Sequence, residues 1–240
     1  MVVGAKSPSG GRPSVNWGAM EAPTTTHGAP RGDEPTVAAF DVDCTLTQRD
    51  CVVPFLRELA GWRWYLGLTR RAIPLSVAIL RRDRDEVKNL VTAAAMAGRP
   101  LSNVQTSAER FAERVFPAWL RSDTVQRLRW HREQGHRVVL VSASYREYLD
   151  HLARLLGCDD VLATEIEVGS GGSCTGRLRG RNCRGVEKER RLRDWMASRG
   201  LLGARVFAYG DSAGDDQMLA MANVPVRVGR EPITPEPIAA

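Results

Sequence analysis

Four aspartates lie directly after apolar stretches of the sequence. Asp41 and Asp43 follow one stretch, and Asp211 and Asp215 follow another. Alternate residues of a strand project to the same side, and the carboxyl ends of parallel strands share one edge of a sheet, so these carboxylates could converge. Carboxylates at one edge could transfer protons or bind a hard cation. Taken singly, each aspartate is also typical of a turn or a helix cap.

A hydroxyl group and an ammonium group extend this set. Ser142 ends another apolar stretch, and Ser144 with Glu147 predicts a capping box that opens a helix. Free amide groups and the positive end of the dipole at a helix start bind anions, so Ser142 and the backbone of Ala143 are candidate anion ligands. Lys188 belongs to a strongly charged helix, where a lysine is also typical of a solvated face.

The segments between these residues predict an α/β fold. Short apolar runs typical of buried strands alternate with amphipathic helices, which favours a doubly wound parallel sheet, a Rossmann-like core with helices on both faces. A long helical pattern interrupts the alternation after the first strand and predicts a helical cap. Ser102 with Gln105 predicts a capping box, Gly98 and Gly135 predict helix ends, and a glycine-rich turn predicts a small hairpin. The predicted strands cover residues 37–42, 137–141, 161–163, 206–209 and 225–228, and the predicted core helices cover 145–156 and 187–197.

Composition divides the chain into four predicted parts. The first 35 residues are rich in Gly, Pro, Ser and Thr and cannot bury enough apolar surface to offset their ordering entropy, so we expect a disordered leader. Met20 is an alternative start to Met1. The predicted parts are the leader (1–35), the core (36–49 and 124–229), the helical cap (50–123) and a flexible tail (230–240).

The charge balance favours anionic partners. The 34 Lys and Arg residues outnumber the 28 Asp and Glu residues and give a formal charge of +6, which suits phosphorylated metabolites, acidic lipid headgroups or nucleic acid. No zinc finger, RNA-binding motif or basic zipper accompanies that charge, so nucleic acid is not an expected partner. The five cysteines show no CxxC spacing, and the pattern predicts neither a secretion signal nor a membrane span, so a cytoplasmic location is expected.

Four motifs occur in order along the chain. Residues 41–47 resemble the DxDxTLT motif of the haloacid dehalogenase superfamily, and residues 210–218 resemble its GDSxxDxxM motif. Between them, Ser142 resembles the hydroxyl motif and Lys188 the lysine motif. The chain resembles the type IB branch in particular, which includes the phosphoserine phosphatases, from about residue 37 to residue 228. This resemblance implies a magnesium-dependent phosphomonoester hydrolase.

The resemblance also implies an aspartyl-phosphate mechanism. Asp41 would attack phosphorus and bind Mg²⁺, while Asp211 and the backbone carbonyl of Asp43 would supply further oxygen ligands. Asp43 would protonate the leaving oxygen and then activate water. Asp215 would support either the metal or Lys188.

The same resemblance assigns the phosphate-binding groups. Lys188 and Ser142, with the backbone of Ala143, would hold the transferring phosphoryl oxygens. Such groups are needed because a carboxylate and a phosphate repel each other by roughly 1 kcal/mol per charge pair at 4 Å in water and about 4 kcal/mol in a partly buried site.

Two positions depart from the family pattern. Cys44 replaces the small or polar residue that is usual between the second aspartate and the threonine, a change that we attribute to tolerated packing. Gly214 stands where phosphoserine phosphatases typically carry asparagine. The second departure weakens the case for phosphoserine as the substrate, but not the case for phosphoryl chemistry.

The cap is expected to select the leaving group. Its residues 62–82 combine tryptophans, apolar runs and arginines, which suits the interface of an anionic membrane. The same segment is also typical of a helix pair that packs its apolar side inside the cap. Together with residues 181–188, it makes the chain look like phosphatidylglycerophosphate phosphatase relatives. A lipid phosphate substrate and peripheral contact with the inner face of the membrane are therefore expected.

Other functions stay open on the sequence. Asp50 lies at about the cap position where phosphoserine phosphatases carry an acidic residue for the substrate amine, which keeps phosphoserine as an alternative substrate. A phosphotransferase that passes the phosphoryl group to an alcohol is a further alternative. A non-catalytic binding module is disfavoured because the whole set of candidate catalytic residues is intact, namely Asp41, Asp43, Lys188 and Asp211.

Overall fold

The computed structural model describes residues 35–234 as a layered α/β arrangement. The strands are β1 (Thr36–Phe40), β2 (Arg137–Tyr145), β3 (Asp160–Thr164), β4 (Ile166–Val168), β5 (Cys174–Leu178), β6 (Arg205–Gly210) and β7 (Val224–Arg227). The helices are α1 (Val52–Ala60), α2 (Trp62–Thr69), α3 (Ala72–Leu80), α4 (Arg84–Met96), α5 (Leu101–Trp119), α6 (Ser122–Glu133), α7 (Arg146–Leu156), α8 (Val186–Ser198) and α9 (Asp216–Ala220). The predicted disordered leader covers residues 1–35, and only its last residue, Pro35, lies within the described range.

The central sheet has five parallel strands in the order β3-β2-β1-β6-β7. In this order, β1 lies between β2 and β6, with Phe40 paired to Leu140 on one side and to Tyr209 on the other. The rings of Phe40 and Tyr209 stack with centroids 4.3 Å apart, an arrangement that adds about 0.5–1.5 kcal/mol beyond the area it buries. These contacts fix the carboxyl ends of the two strands side by side.

Helices cover both faces of this sheet. Alternate residues of β1 point to opposite sides, so Ala38 and Phe40 belong to one apolar cluster while Val37 and Ala39 belong to another. The first cluster includes residues of α1 and of α4 to α7, and the second includes residues of α8 and α9. The prediction of a doubly wound parallel sheet is confirmed.

Six helices, α1 to α6, lie between β1 and β2, and the first five form the segment that the sequence assigns to the cap. Helix α4 contacts α1, α2 and α3, and it also contacts β5 of the antiparallel hairpin formed by β4 and β5. The hairpin lies close to the end of α4, as the position of Gly176 shows. A Cβ atom added at Gly176 would lie only 2.8 Å from Cβ of Ala97. The predicted hairpin is therefore confirmed, and it packs on the helical segment that the sequence assigns to the cap.

The start of helix α5 differs from the prediction. Helix α5 begins at Leu101 with Pro100 before it and has no side-chain cap, so Ser102 lies inside the helix rather than at a capping box. The amide of Leu101 instead donates to the carbonyl of Gly172 at 2.9 Å, which removes the need for a side-chain cap. The predicted helix end at Gly98 is confirmed, since α4 stops at Met96 and Gly98 has a φ of +76°.

The last described residues contact the start of α6. The amide of Ile233 donates to Asp123 Oδ2 at 3.0 Å, and Arg121 donates to the carbonyl of Gly229 at 2.8 Å. The predicted flexible tail, 230–240, thus begins with contacts to this helix, and residues 235–240 lie outside the described range. Among residues 35–234, no helix has the length and apolar character needed to cross a bilayer.

Candidate active site

Three adjacent strand ends bring the predicted site residues to one edge of the sheet. Asp41 follows β1 directly, and its amide donates to the carbonyl of Tyr209 in β6 at 2.9 Å. Asp211 follows β6, and Ser142 lies near the end of β2, the strand on the other side of β1. This edge is where ligands bind in open parallel sheets.

A buried ammonium group joins two of the aspartates. Lys188, in the first turn of α8, donates through Nζ to Asp41 Oδ1 at 2.5 Å and to Asp215 Oδ1 at 2.6 Å. All three residues are buried. Asp215 is held further by Ser212, whose backbone amide and hydroxyl each donate to its other carboxylate oxygen at 3.0 Å. Asp215 therefore orients Lys188 toward Asp41.

Burial and charge shift the pKa values of these groups in different directions. Burial raises the pKa of Asp41 to about 7, with the positive charge of Lys188 opposing the rise. Burial also acts on Lys188, but the carboxylates of Asp41 and Asp215 hold its pKa above the ordinary value, so it stays an ammonium. Burial opposes ionisation of Asp215, yet the charge of Lys188 brings its pKa below the ordinary value.

The carboxylates of Asp41, Asp211 and Asp215 could hold a metal ion. One oxygen from each of the three lies within 4.8 Å of the others. The hydroxyl of Thr45 donates to Asp41 at 3.1 Å and to Asp211 at 3.4 Å, so it orients both carboxylates. A site made of carboxylate oxygens suits Mg²⁺, which prefers hard oxygen ligands.

The side chain of Asp43 lies apart from this group. It accepts hydrogen bonds from the amide of Cys51 at 2.8 Å and from the hydroxyl of Ser144, which itself accepts from Tyr148 at 2.7 Å. Burial raises the pKa of Asp43, and the charge of Asp50 raises it further. A carboxyl group with a raised pKa is suited to carry a proton that it later donates.

The hydrogen bond to Asp43 corrects the role predicted for Ser144. The capping box is wrong because β2 continues through Tyr145, and α7 begins at Arg146 without a side-chain cap. A hydrogen bond to an ionisable carboxylate is stronger than one between neutral groups, so the Ser144 hydroxyl turns to Asp43. No helix-cap signal in the sequence distinguishes the two arrangements.

The three predicted substrate-binding residues occupy different surroundings. Ser142 is buried, and its Oγ accepts from the amide of Ser144 at 3.1 Å. The carbonyl of Ala143 accepts from Lys88 Nζ and from the hydroxyl of Thr164, each at 2.9 Å. Asp50 is exposed and accepts from the amide of Val53 at 3.2 Å, which caps the start of α1. Asp50 thus has a structural contact of its own.

Both departures from the family pattern have a structural basis. Cys44 has a φ of +59°, a left-handed conformation that side chains rarely adopt, which explains why a small residue is usual there. A Cβ atom on Gly214 would lie 3.1 Å from Nε of Arg184. A side chain at position 214 would therefore require the Arg184 side chain to shift by a few tenths of an ångström.

A cavity of about 610 Å³ opens beside these groups. Its lining includes Cys44, Asp211, Arg121, Asp123 and Arg230. The cavity gives solvent access to Asp211. Lys88 is a buried group near the site that is not among the residues predicted from the sequence. The rarity of lysine in this arginine-rich chain is the feature that could have drawn attention to it.

Comparison with known proteins agrees with this geometry. The family model of the haloacid dehalogenase-like hydrolases matches residues 38–220. Protein CicA of Caulobacter vibrioides is 36% identical over 192 residues, which cover 80% of this chain and 85% of that protein. A phosphoserine phosphatase of Streptococcus thermophilus is 30% identical over 195 residues, which cover 81% and 84% of the two chains.

A solved structure shares the fold at lower identity. The crystal structure of a Bordetella pertussis protein of unknown function superposes with a TM-score of 0.61 and 24% identity, covering 78% of this chain and 86% of that one. The family match includes Asp41, Ser142, Lys188 and Asp211. The chain is therefore an enzyme that belongs to the haloacid dehalogenase-like hydrolase family.

Proposed function

We propose that this hydrolase is a magnesium-dependent phosphomonoesterase of the type IB branch that works through a phosphorylated Asp41. The observation that carries the proposal is the contact of the buried Lys188 ammonium with Asp41 and Asp215, next to the carboxylate of Asp211. A carboxylate held beside a fixed cation can accept a phosphoryl group whose charge the cation offsets. The phosphoserine phosphatase among the relatives supports the same chemistry.

The proposed reaction consists of two successive displacements at phosphorus, in which Asp41 and Asp43 take part. In the first, a carboxylate oxygen of Asp41 forms a bond to phosphorus as the bond to the leaving oxygen breaks, and Asp43 gives its proton to that oxygen. In the second, Asp43 takes a proton from water while the water oxygen attacks phosphorus, which releases phosphate and frees Asp41. Lys188 and Ser142, with the Ala143 amide, hold the phosphoryl oxygens during both steps.

A divalent cation fits the remaining oxygen donors. Asp41, Asp211 and the backbone carbonyl of Asp43 would hold Mg²⁺, while both carboxylate oxygens of Asp215 already accept hydrogen bonds from Lys188 or Ser212. When bound, the ion supplies positive charge that offsets the repulsion between the nucleophile and the phosphate. Asp215 therefore acts through Lys188 rather than as a main ligand.

Removing one oxygen ligand should raise the Mg²⁺ concentration that the enzyme needs for activity. We expect Asp211→Ala to lower kcat/KM by about 100-fold or more at low millimolar Mg²⁺, because a hard ligand is lost. Phosphate release from a panel of phosphomonoesters, measured against Mg²⁺ concentration, tests this. Asp216→Ala changes an exposed residue of the same segment and should keep the wild-type dependence. Full activity of chelator-treated wild type would refute the metal proposal.

A lipid phosphate is the substrate that the surface of the cap segment favours. Helices α2 and α3 expose large apolar side chains, with Trp62 70%, Ile73 80% and Leu80 85% exposed. Only Ala78 of α3 is buried. An exposed apolar surface with neighbouring arginines suits an anionic bilayer interface better than a solvated helix pair. We place the enzyme on this basis at the cytoplasmic side of the membrane, with phosphatidylglycerophosphate as the model substrate.

Charge removal on this surface should weaken membrane binding. Arg70→Gln combined with Arg71→Gln should lower partitioning onto acidic vesicles by roughly 10- to 30-fold and reduce its salt dependence, since each basic residue near an anionic membrane contributes about 1 kcal/mol. Vesicle sedimentation at two salt concentrations measures this. Arg193→Gln, at an exposed position of α8, is the matched control. The lipid proposal would be overturned if the wild-type protein did not bind vesicles but hydrolysed phosphoserine efficiently.

Phosphoserine is the second candidate substrate. It is favoured by the Streptococcus thermophilus relative and by the acidic Asp50 near Asp43. Hydrolysis of phosphoserine above that of lipid phosphates would support it, and Asp50 would then be the first residue to replace. A phosphotransferase would instead move the phosphoryl group to added alcohols rather than release phosphate.

A further inference from the structure

One buried lysine connects the helical segment after β1 to the sheet edge. Lys88 of α4 is only 8% exposed. Its Nζ donates to the carbonyl of Ala143 at 2.9 Å and lies 4.2 Å from the ring centroid of Tyr145. Lys88 forms no ion pair with any residue in the described range 35–234. A buried ammonium is thus held by one carbonyl and one aromatic face.

Lysine is rare in this chain. Only three of its 34 basic Lys and Arg residues are lysines, namely Lys6, Lys88 and Lys188. Lys6 lies outside the described residues, and the other two are both buried at the same edge of the sheet. Arginine serves nearly every other basic position. Both described lysines therefore place a compact ammonium group, with three hydrogen-bond donors, at a buried position.

The position of Lys88 corresponds to the leaving group of the substrate. Ala143 lies between Ser142, a proposed phosphoryl ligand, and Ser144, whose hydroxyl donates to Asp43. In the proposed reaction, Asp43 donates its proton to the leaving oxygen. Lys88 therefore contacts the residue next to the partner of Asp43, whereas Lys188 contacts the nucleophile Asp41.

Burial without an ionic partner is costly for a lysine. The pKa of Lys88 falls to about 8 through burial, although the charges of Asp43 and Asp50 oppose the fall. The carbonyl and the aromatic ring compensate only part of the lost hydration. An anionic group of a ligand would supply the missing partner.

We propose that Lys88 is a specificity-determining residue that binds a negatively charged group in the alcohol part of the substrate. The proposal rests on the phosphomonoesterase function above and narrows its substrate class to phosphomonoesters with a second anionic group. A carboxylate and a phosphodiester both supply this charge. Recognition of a substrate amine by Asp50 alone is disfavoured, because the neighbouring cation repels an isolated ammonium.

Three soluble substrates separate the sources of charge. Glycerol 3-phosphate has a neutral alcohol part, 3-phosphoglycerate adds a carboxylate, and dihexanoyl phosphatidylglycerophosphate adds a phosphodiester. Wild type should prefer at least one charged substrate over glycerol 3-phosphate by about tenfold or more in kcat/KM, the size expected for hydrogen bonds to a charged group. Preference for the carboxylate or for the phosphodiester identifies the source.

Replacement of Lys88 should remove that preference selectively. Lys88→Gln keeps a donor for the carbonyl of Ala143 but loses the charge, so the ratio of kcat/KM between the charged substrate and glycerol 3-phosphate should fall to about one. Lys88→Arg should retain part of the preference. Arg84→Gln, at the exposed start of the same helix, should behave as wild type. Thermal melting shows whether each variant is folded.

Binding measurements keep this test independent of turnover. In the Asp41→Asn background, calorimetry should show that Lys88→Gln weakens binding of the charged ligands about tenfold more than binding of glycerol 3-phosphate. Equal losses for all three ligands, or no preference in the wild type, would overturn the proposal for Lys88. Selective binding without any hydrolysis by the wild type would instead reject the proposed function and leave the anion site standing.

Discussion

Asp41→Asn should lower kcat by at least about 10⁴-fold while the protein keeps its fold, because the amide retains the shape of the side chain but not its nucleophilic oxygen. Asp41 is buried and bound to Lys188 and Thr45, so no neighbouring carboxylate can take its position without moving that network. Single-turnover phosphate release on the preferred phosphomonoester measures the loss. Loss of turnover with an unchanged melting curve would assign Asp41 to the chemistry.

The control for this variant is another aspartate of the core. Asp194 is an exposed residue of α8 that pairs with Arg190, so Asp194→Asn should retain wild-type turnover. Mass spectrometry must confirm the amide, since deamidation of the introduced asparagine would regenerate the nucleophile. Turnover within tenfold of wild type in a verified preparation would contradict the assignment of Asp41.

The sequence predicts the strand ends of this site well. Apolar runs bounded by polar residues define buried parallel strands, and the order of those strands along the chain places Asp41, Ser142 and Asp211 at one edge. The fold follows from the same alternation, because each predicted core strand and helix recurs in the structure with no bound shifted by more than four residues. Local pattern is sufficient here because each residue is positioned by its own strand.

Contacts between distant elements were not predictable in the same way. The hydroxyl of Ser144 was assigned to a helix cap, but it donates to Asp43, 101 residues away. Lys88 belongs to an ordinary amphipathic helix, and its burial depends on the packing of α4 against other elements, where its Nζ donates to the carbonyl of Ala143. The left-handed conformation of Cys44 is likewise set by the turn around it. Such features depend on distances that periodicity does not encode.

Lys188→Met should reduce kcat by about 10³-fold or more and destabilise the protein. The ammonium holds Asp41 at 2.5 Å and Asp215 at 2.6 Å, and its removal leaves two buried carboxylates without a cation. Breaking such a buried pair costs about 3–5 kcal/mol. Urea unfolding in the presence of a chelator measures the free energy of unfolding, and phosphate release measures kcat. Arg190→Met, an exposed change on the same helix, should alter neither quantity by much.

A double variant separates the structural effect of Lys188 from its effect on the reaction. Lys188→Met combined with Asp215→Asn removes one of the two uncompensated charges, so it should recover part of the lost free energy of unfolding. Turnover should not recover with it, because no cation remains to offset the charge of the transferring phosphoryl group. Lys188→Arg should also stay slow, since a planar guanidinium does not replace a compact ammonium between two carboxylates. If turnover returned in parallel with stability, Lys188 would only be holding the fold, and the proposed role in phosphoryl transfer would be wrong.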